Sequence, residues 1–118
     1  MKEGEDIEYY SGGLIRSKCF YLGGKYHGEC IYYYESGVIG SKDNYIDGKL
    51  NGECIYYRES GEISYKCNYI DGEKHGKFIT YSINGDIPYK SYYIYGKGVS
   101  ELEWLLYNRN IKFELLGL

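Results

Sequence analysis

The sequence lacks the features that mark membrane, secreted and nucleic-acid-binding proteins. No run approaches the roughly 20 apolar residues of a membrane-spanning helix, and the first ten residues, MKEGEDIEYY, contain no apolar core of a secretory leader. The formal net charge of −3 argues against general nucleic-acid binding, which depends on a surplus of Lys and Arg to neutralise phosphates. We therefore expect a cytoplasmic protein without a membrane span.

Proline and tryptophan are also scarce, with one of each, whereas the chain contains 17 glycines and 18 tyrosines. Tyrosine takes the place that larger aliphatic residues usually hold. A ring with a hydroxyl end can bury area and still reach water, so this composition suits a thin sheet with both faces near solvent better than a thick globular core.

A tandem repeat accounts for most of the glycine and tyrosine. The same 24-residue pattern fills residues 3–26, 27–50, 51–74 and 75–98 without an insertion, and residues 99–118 form a tail. We number the positions of each repeat from 1 to 24. Positions 2, 11 and 22 are always glycine, positions 5 and 13 always isoleucine, and positions 7 and 19 always tyrosine.

The isoleucines and tyrosines all fall at odd positions, which favours strands, because alternate residues of a strand share a face and β-branched and aromatic residues suit a sheet. Each repeat is therefore predicted to be one hairpin. The predicted fold is all-β: one elongated, curled antiparallel sheet of four hairpins, with a short cap at the C-terminus.

The hairpin loop sets the predicted register. A three-residue loop at Glu59–Gly61, with Gly61 in the left-handed region, places position 7 opposite position 13 and position 5 opposite position 15. A two-residue loop would instead place position 5 opposite the lysine at position 16, so we predict the three-residue loop. The predicted apolar face then contains Ile55, Tyr57, Ile63 and Tyr69.

The tail departs from the repeat. Ser100 and Glu103 form a capping box before leucines at helical spacing, which predicts a short helix. Residues 111–115 alternate apolar and charged side chains, which predicts a final strand; a degenerate fifth hairpin is the alternative. The tail, with Trp104, is expected to cover the open edge of the last hairpin. Pro88, which lacks a backbone donor, is expected at an edge or a bulge.

Four cysteines occupy two repeat positions, Cys30 and Cys54 at position 4, and Cys19 and Cys67 at position 17. Equal positions of adjacent hairpins lie about 9.5 Å apart, which exceeds the limit of about 7 Å for a disulfide. We therefore predict free thiols in a reducing compartment. The distance argument leaves open a pair between different positions, such as Cys19 with Cys30.

Position 16 carries the most informative polar side chain, because it is lysine in every repeat. In the predicted register this lysine ladder shares a face with Tyr32 and Tyr56, so it could bind an anionic ligand or an acidic partner. The alternative is that exposed lysines keep the sheet soluble and discourage edge pairing. The ladder consists of Lys18, Lys42, Lys66 and Lys90.

No constellation for catalysis, metal binding or a cofactor is visible. His27 and His75 are two repeats apart and cannot share a metal, and no cluster of ligating residues has zinc-like spacing. Ser36 and Ser60 fall in hairpin loops without a plausible base nearby. We therefore expect no enzymatic activity, no metal and no cofactor.

At these positions the sequence resembles the MORN repeat family, in which a tyrosine precedes a Gly-Lys pair and a further glycine, as in Tyr45–Gly52. The segment Tyr32–Ile39, YYYESGVI, is similar to the bacterial and giant-virus variant of the repeat. The resemblance covers residues 3–98 and implies an elongated sheet that serves as a non-catalytic interaction scaffold; bacterial members of the variant are often antitoxin-like. The Gly-x-Gly step and the repeat tryptophan of the eukaryotic form are missing, so lipid-headgroup binding does not carry over.

Two functions follow as hypotheses. The first is a protein-interaction module that binds or neutralises one partner such as a toxin or defence protein, with Tyr33 and Tyr57 as aromatic anchors. The second is a protein that sequesters a phosphorylated small molecule or nucleotide signal between tyrosine rings and the lysine ladder. The sequence does not determine the oligomeric state.

Overall fold

The structure, a computed structural model, describes residues 1–109 and contains one open antiparallel sheet followed by a helix. The all-β prediction is confirmed. The strands are β1 Gly4–Tyr9, β2 Ile15–Leu22, β3 Lys25–Tyr26, β4 Gly28–Tyr33, β5 Ile39–Ile46, β6 Lys49–Leu50, β7 Gly52–Tyr57, β8 Ile63–Ile70, β9 Glu73–Lys74, β10 Gly76–Thr80, β11 Tyr89–Ile94 and β12 Lys97–Val99, and the helix is α1 Glu101–Asn108. The strand predicted at residues 111–115 lies outside the described residues.

The sheet grows in chain order, β1-β2-β4-β5-β7-β8-β10-β11-β12, and β3, β6 and β9 extend the hairpin links. Its extents of 60 × 42 × 16 Å describe a thin layer, so most side chains have water within reach. Within residues 1–109, no helix has the length and apolarity needed to cross a membrane.

The predicted three-residue hairpin loop is present in the first three repeats. In the third, the Arg58 amide donates to the Glu62 carbonyl at 2.7 Å, and Gly61 closes the loop with a φ of +93°. Tyr57 lies opposite Ile63 as predicted. The loop was predictable because a left-handed residue at this point of a short hairpin connection favours glycine.

We expect Gly61→Val to destabilise the protein by about 1–3 kcal/mol, because a β-branched residue is strained at positive φ. Gly12→Val is the matched control, since Gly12 lies in a loop with no positive φ and an added Cβ would meet nothing within 4 Å. Gly40 would be a poor control because its added Cβ would lie 3.4 Å from the Tyr34 ring. Urea unfolding measures both changes, and equal losses would contradict the loop assignment.

Beyond the loop the predicted register is wrong. A β-bulge opposite Tyr56 and Tyr57 leaves Ser64 without a partner on β7, so Ile55 lies opposite Lys66 and not opposite Tyr65. The bulge recurs in the first two repeats, at Glu8/Tyr9 and at Tyr32/Tyr33. One extra residue on the second strand reverses which side chains point to each face.

The bulge divides the side chains into two faces. The tyrosine–cysteine face carries positions 4, 6, 15, 17 and 19, and the isoleucine–lysine face carries positions 3, 5, 7, 13, 16 and 18. The prediction of one apolar face is therefore wrong for Tyr69, which lies on the tyrosine–cysteine face, whereas Ile55, Tyr57 and Ile63 share the other.

Lysine joins isoleucine on one face because its side chain is amphipathic. The four-carbon stem can pack along the neighbouring isoleucines while the ammonium group reaches water. Lys42 and Lys66 are accordingly half-buried, as are Ile31 and Ile55 beside them. The predicted register is wrong because it treats the lysine side chain only as a charge.

Besides the ladders between β2 and β4, β5 and β7, and β8 and β10, hydrogen bonds in the links and near the loops connect neighbouring hairpins. In the links, Gly72 donates its amide to the Leu50 carbonyl at 2.8 Å, and Gly48 donates to Tyr26 in the same way. Near the loops, the Tyr34 hydroxyl donates to the Tyr57 carbonyl, and the equivalent Arg58 side chain donates to the next repeat. These bonds repeat every 24 residues, so each hairpin is held mainly by its neighbours.

The fourth repeat is shorter. β10 and β11 pair only as far as Thr80 opposite Tyr89, so Pro88 lies just before β11 and not at the predicted edge or bulge. Its missing donor costs no ladder hydrogen bond there. Ile87, at the isoleucine position, is 93% exposed. The predicted capping box is present: Ser100 and Glu103 begin helix α1, which excludes a fifth hairpin over residues 101–108.

Candidate interaction face and groove

The predicted site residues divide between the two faces of the sheet. The interpretation that the lysine ladder shares a face with Tyr32 and Tyr56 is wrong, because the bulge places these tyrosines on the tyrosine–cysteine face. The ladder shares its face with Tyr33 and Tyr57 instead. A site that uses both the ladder and Tyr32 or Tyr56 is therefore not formed by one face of the sheet.

On the isoleucine–lysine face, isoleucine and lysine alternate in one continuous row from β1 to β11. Each ladder lysine up to Lys66 lies opposite an isoleucine of its own hairpin and beside an isoleucine of the next. The row is Ile7, Lys18, Ile31, Lys42, Ile55, Lys66, Ile79 and Lys90. Consecutive lysines are two strands apart, about 9.5 Å.

The lysine row has an apolar neighbour on one side and a polar neighbour on the other. Towards the hairpin loops lie tyrosines and isoleucines, such as Tyr57 opposite Ile63, and towards the links lie glutamates and asparagines, such as Glu53 opposite Asn68. The ion pairs found in residues 1–109 are those of Lys2 and Arg16, so the ladder lysines have no carboxylate partner in this part of the chain. Their charge is available to a ligand.

A buried row of side chains, at repeat positions 4 and 17, lies on the tyrosine–cysteine face and contains all four cysteines. Cys19 on β2 and Cys30 on β4 form a disulfide with a Cα–Cα distance of 4.2 Å, so the prediction of four free thiols is wrong for this pair. Their different repeat positions make them partners on adjacent strands, one strand spacing apart. Cys54 and Cys67 also face each other, on β7 and β8, and are free thiols.

We expect two titratable thiols per chain when the protein is purified without reductant and unfolded in denaturant, and four after reduction. The Cys19→Ser/Cys30→Ser variant is the control, because its thiol count should stay at two under both conditions. Thiol titration with a chromogenic disulfide measures the number. Four thiols in the unreduced wild type would show that the Cys19–Cys30 bond does not form in solution.

Asp43 interrupts the row of cysteines between Cys30 and Cys54. It is only 5% exposed, and one of its carboxylate oxygens has no hydrogen-bond partner. Burial raises the pKa of this carboxyl, although hydrogen bonds from Cys54 and Tyr56 partly oppose the shift. The hydrogen bond between the two thiols raises the pKa of Cys54 and lowers that of Cys67. The buried row is covered by tyrosine rings and is unavailable to a large partner.

Aromatic rings cover the buried row. Tyr65 lies between Tyr56 and Phe78, with ring centroids 4.5 and 5.3 Å away and nearly parallel planes. Desolvation raises the pKa of Tyr69 to about 12. Lys74 lies over Phe78 and completes this cover with a cation–π contact of 4.9 Å. The tyrosine–cysteine face is therefore a packed layer where the third repeat meets Phe78 of the fourth.

Helix α1 lies on the isoleucine–lysine face, at its C-terminal end. The indole of Trp104 is 3.7 Å from the point that a Cβ on Gly76 would occupy, and Asn68 reaches the same point. Asn68 and Lys66 are two residues apart on β8, so they share a face. The indole therefore lies within van der Waals range of this backbone position, and the φ of +94° at Gly76 accounts for the glycine there.

A groove of about 640 Å3 separates α1 from the neighbouring hairpin links, and its lining includes Trp104, His75, Lys77 and Asn68. The Nδ1 of His75 accepts a hydrogen bond from the Tyr95 amide at 3.1 Å. The sequence pattern indicates only that His75 cannot share a metal with His27, and it assigns no site to this side chain. The sole tryptophan was the available signal, but nothing local showed which face the helix would cover.

No cluster of three or more His, Cys, Asp or Glu side chains in residues 1–109 is arranged to hold a metal ion.

Comparison with known proteins adds little to this description. No protein-family model matches the sequence, and no curated protein matches it either. Among solved structures, the chain is similar to part of the GtfA/B complex crystallised with UDP and GlcNAc, with a TM-score of 0.43 and 12% identity. The alignment covers 96% of this chain and 28% of that chain, so this chain spans about a quarter of the other's length.

Proposed function

We propose that the protein is a non-enzymatic, MORN-like repeat scaffold that binds one protein partner through its isoleucine–lysine face. The observation that supports this is the continuous row of alternating isoleucine and lysine beside a row of tyrosine and isoleucine. Binding energy at protein interfaces is concentrated in a few large rings and apolar anchors surrounded by polar groups. Tyr33 and Tyr57, with Ile31 and Ile55, supply the anchors, and the lysines supply the charge.

Neutralisation of a toxin or defence protein is the form of this function that the resemblance suggests. We place it in the cytoplasm because Cys54 and Cys67 face each other as free thiols, a state that a reducing compartment preserves. The Cys19–Cys30 disulfide argues for an oxidising compartment. Thiol counts in native cells lysed in an alkylating agent decide between the two: four blocked thiols support the cytoplasm, and two support an oxidising compartment.

A pull-down of the tagged chain from its native cell, followed by mass spectrometry, tests the proposal. We expect a specific protein to be captured by the wild type and lost by the Tyr33→Ala/Tyr57→Ala variant. Tyr89→Ala is the control, since Tyr89 is 72% exposed and lies on the other face. Thermal unfolding of each variant separates lost binding from lost folding. Capture that is unchanged in the double variant would refute this face, and capture of no protein would refute the function.

Sequestration of a phosphorylated small molecule or nucleotide is the second candidate function. The groove beside Trp104 is a better site for such a ligand than the lysine ladder. Its volume falls in the range of small-molecule sites, roughly 300–1,000 Å3. The indole offers a stacking surface, and Lys77 offers a positive charge. Small molecules that elute with the wild type but not with Lys77→Gln would support this function; Lys66→Gln tests the ladder in the same assay.

A further inference from the structure

Helix α1 shows what kind of element the isoleucine–lysine face accepts. The exposure of the side chain at repeat position 18 shows where this face is covered. Tyr92, in the fourth repeat, is 8% exposed, whereas Phe20, at the same position of the first repeat, is 45% exposed. Helix α1 packs against β11, which contains Tyr92. At position 18, near the links, this face is therefore covered by a helix in the fourth repeat and left open in the first, whereas Lys90 and Ile87 of the fourth repeat stay exposed.

The helix that covers this face is short, acidic and amphipathic. Glu101 and Glu103 lie in its first turn, Leu106 is buried, and Trp104 packs over Gly76. The ladder lysines of the open repeats have no carboxylate partner in residues 1–109. An element that covers them should therefore carry acidic groups beside apolar ones.

The spacing of the row also matches a helix. Lysines two strands apart are separated by about 9.5 Å, and residues seven apart on an α-helix are separated by about 10.5 Å. The difference of about 1 Å per step is small beside the reach of a lysine side chain. Because the sheet twists by roughly 20–25° per strand, a straight helix can follow only two or three lysines. Lys18, Lys42 and Lys66 lie in the open repeats and are the candidates.

We propose that the partner contributes an acidic amphipathic helix, which lies across the strands on the isoleucine–lysine face of the first three repeats. Its acidic residues, seven apart, pair with Lys42 and Lys66, and its apolar residues pack on Ile31 and Ile55. This inference rests on the proposed function, and it names the class of partner that the function requires.

A designed peptide tests the inference without the native partner. The probe is a helical peptide of about three heptads, with glutamate at every seventh position and leucine on the flanking face. We expect the wild-type chain to bind it, and we expect Lys42→Glu/Lys66→Glu to weaken binding by roughly tenfold to a hundredfold. Lys25→Glu/Lys49→Glu is the matched control, because these exposed lysines lie in the hairpin links. Fluorescence anisotropy measures the affinity, and circular dichroism confirms the fold.

Charge reversal keeps the test decisive. The Lys42→Glu/Lys66→Glu variant should bind a peptide in which lysine replaces each glutamate, and the wild type should not. The inference fails if the control variant loses as much affinity as the ladder variant, or if an acidic peptide of the same composition interrupted by proline binds equally well. If the chain captures a native protein through Tyr33 and Tyr57 but does not bind the acidic peptide, this inference alone is refuted. A chain that captures no native protein would refute the proposed function.

Discussion

Tyr65→Ala is expected to destabilise the protein by about 2–3 kcal/mol, the largest effect of any single side chain on the tyrosine–cysteine face. Tyr65 is the middle ring of a stack that joins β7, β8 and β10, and its removal separates Tyr56 from Phe78. Loss of a large ring costs its transfer free energy and leaves a cavity, and the stacking contributes beyond the buried area. Because the sheet is one layer thick, no second layer can fill the gap.

Tyr89→Ala provides the control for this prediction. Tyr89 occupies the same repeat position as Tyr65, but it is 72% exposed, so its removal should cost less than about 0.5 kcal/mol. Urea unfolding followed by circular dichroism gives both free energies. Similar losses in the two variants would mean that the ring stack does not form in solution.

Trp104→Ala is expected to destabilise the fourth repeat by about 2–3 kcal/mol. The indole packs over Gly76, and its edge-on contact with His75 has a centroid distance of 5.5 Å. In a stack of hairpins the last repeat has only one neighbouring repeat, so its stability depends on this helix. The loss should therefore be local and should not spread evenly over the sheet.

Amide hydrogen exchange followed by mass spectrometry resolves the location of this loss. We expect faster exchange in residues 76–99 of the variant, and unchanged exchange in residues 28–57. Leu102→Ala is the control, because Leu102 is 57% exposed on the same helix. An equal increase along the whole chain would show that the repeats unfold as one unit and that α1 is not a local cap.

The partition of side chains between the faces shows where sequence reasoning failed. Tyr32 and Tyr56 were expected beside the ladder, and the structure places Tyr33 and Tyr57 there instead. The error arose from one residue per repeat: Ser64, which has no partner on β7, and its equivalents in the first two repeats. A bulge has no strong local signature at this point, because serine, glycine and arginine all occupy position 14 in the repeats that contain it. The disulfide and the face covered by α1 were likewise undetermined by local pattern.

The sequence by itself determined the features that follow from local rules. These are the 24-residue period, one hairpin per repeat, the loop that ends at Gly61 and the capping box at Ser100. Each depends on residues close together in the chain, whose backbone preferences or hydrogen bonds act over a few positions. Only the tertiary structure decided that Ile55 faces Lys66, that Cys19 bonds to Cys30 and that Trp104 covers Gly76. These pairings join separate strands, and they depend on how bulge, lysine stems and tyrosine rings pack together across the whole sheet.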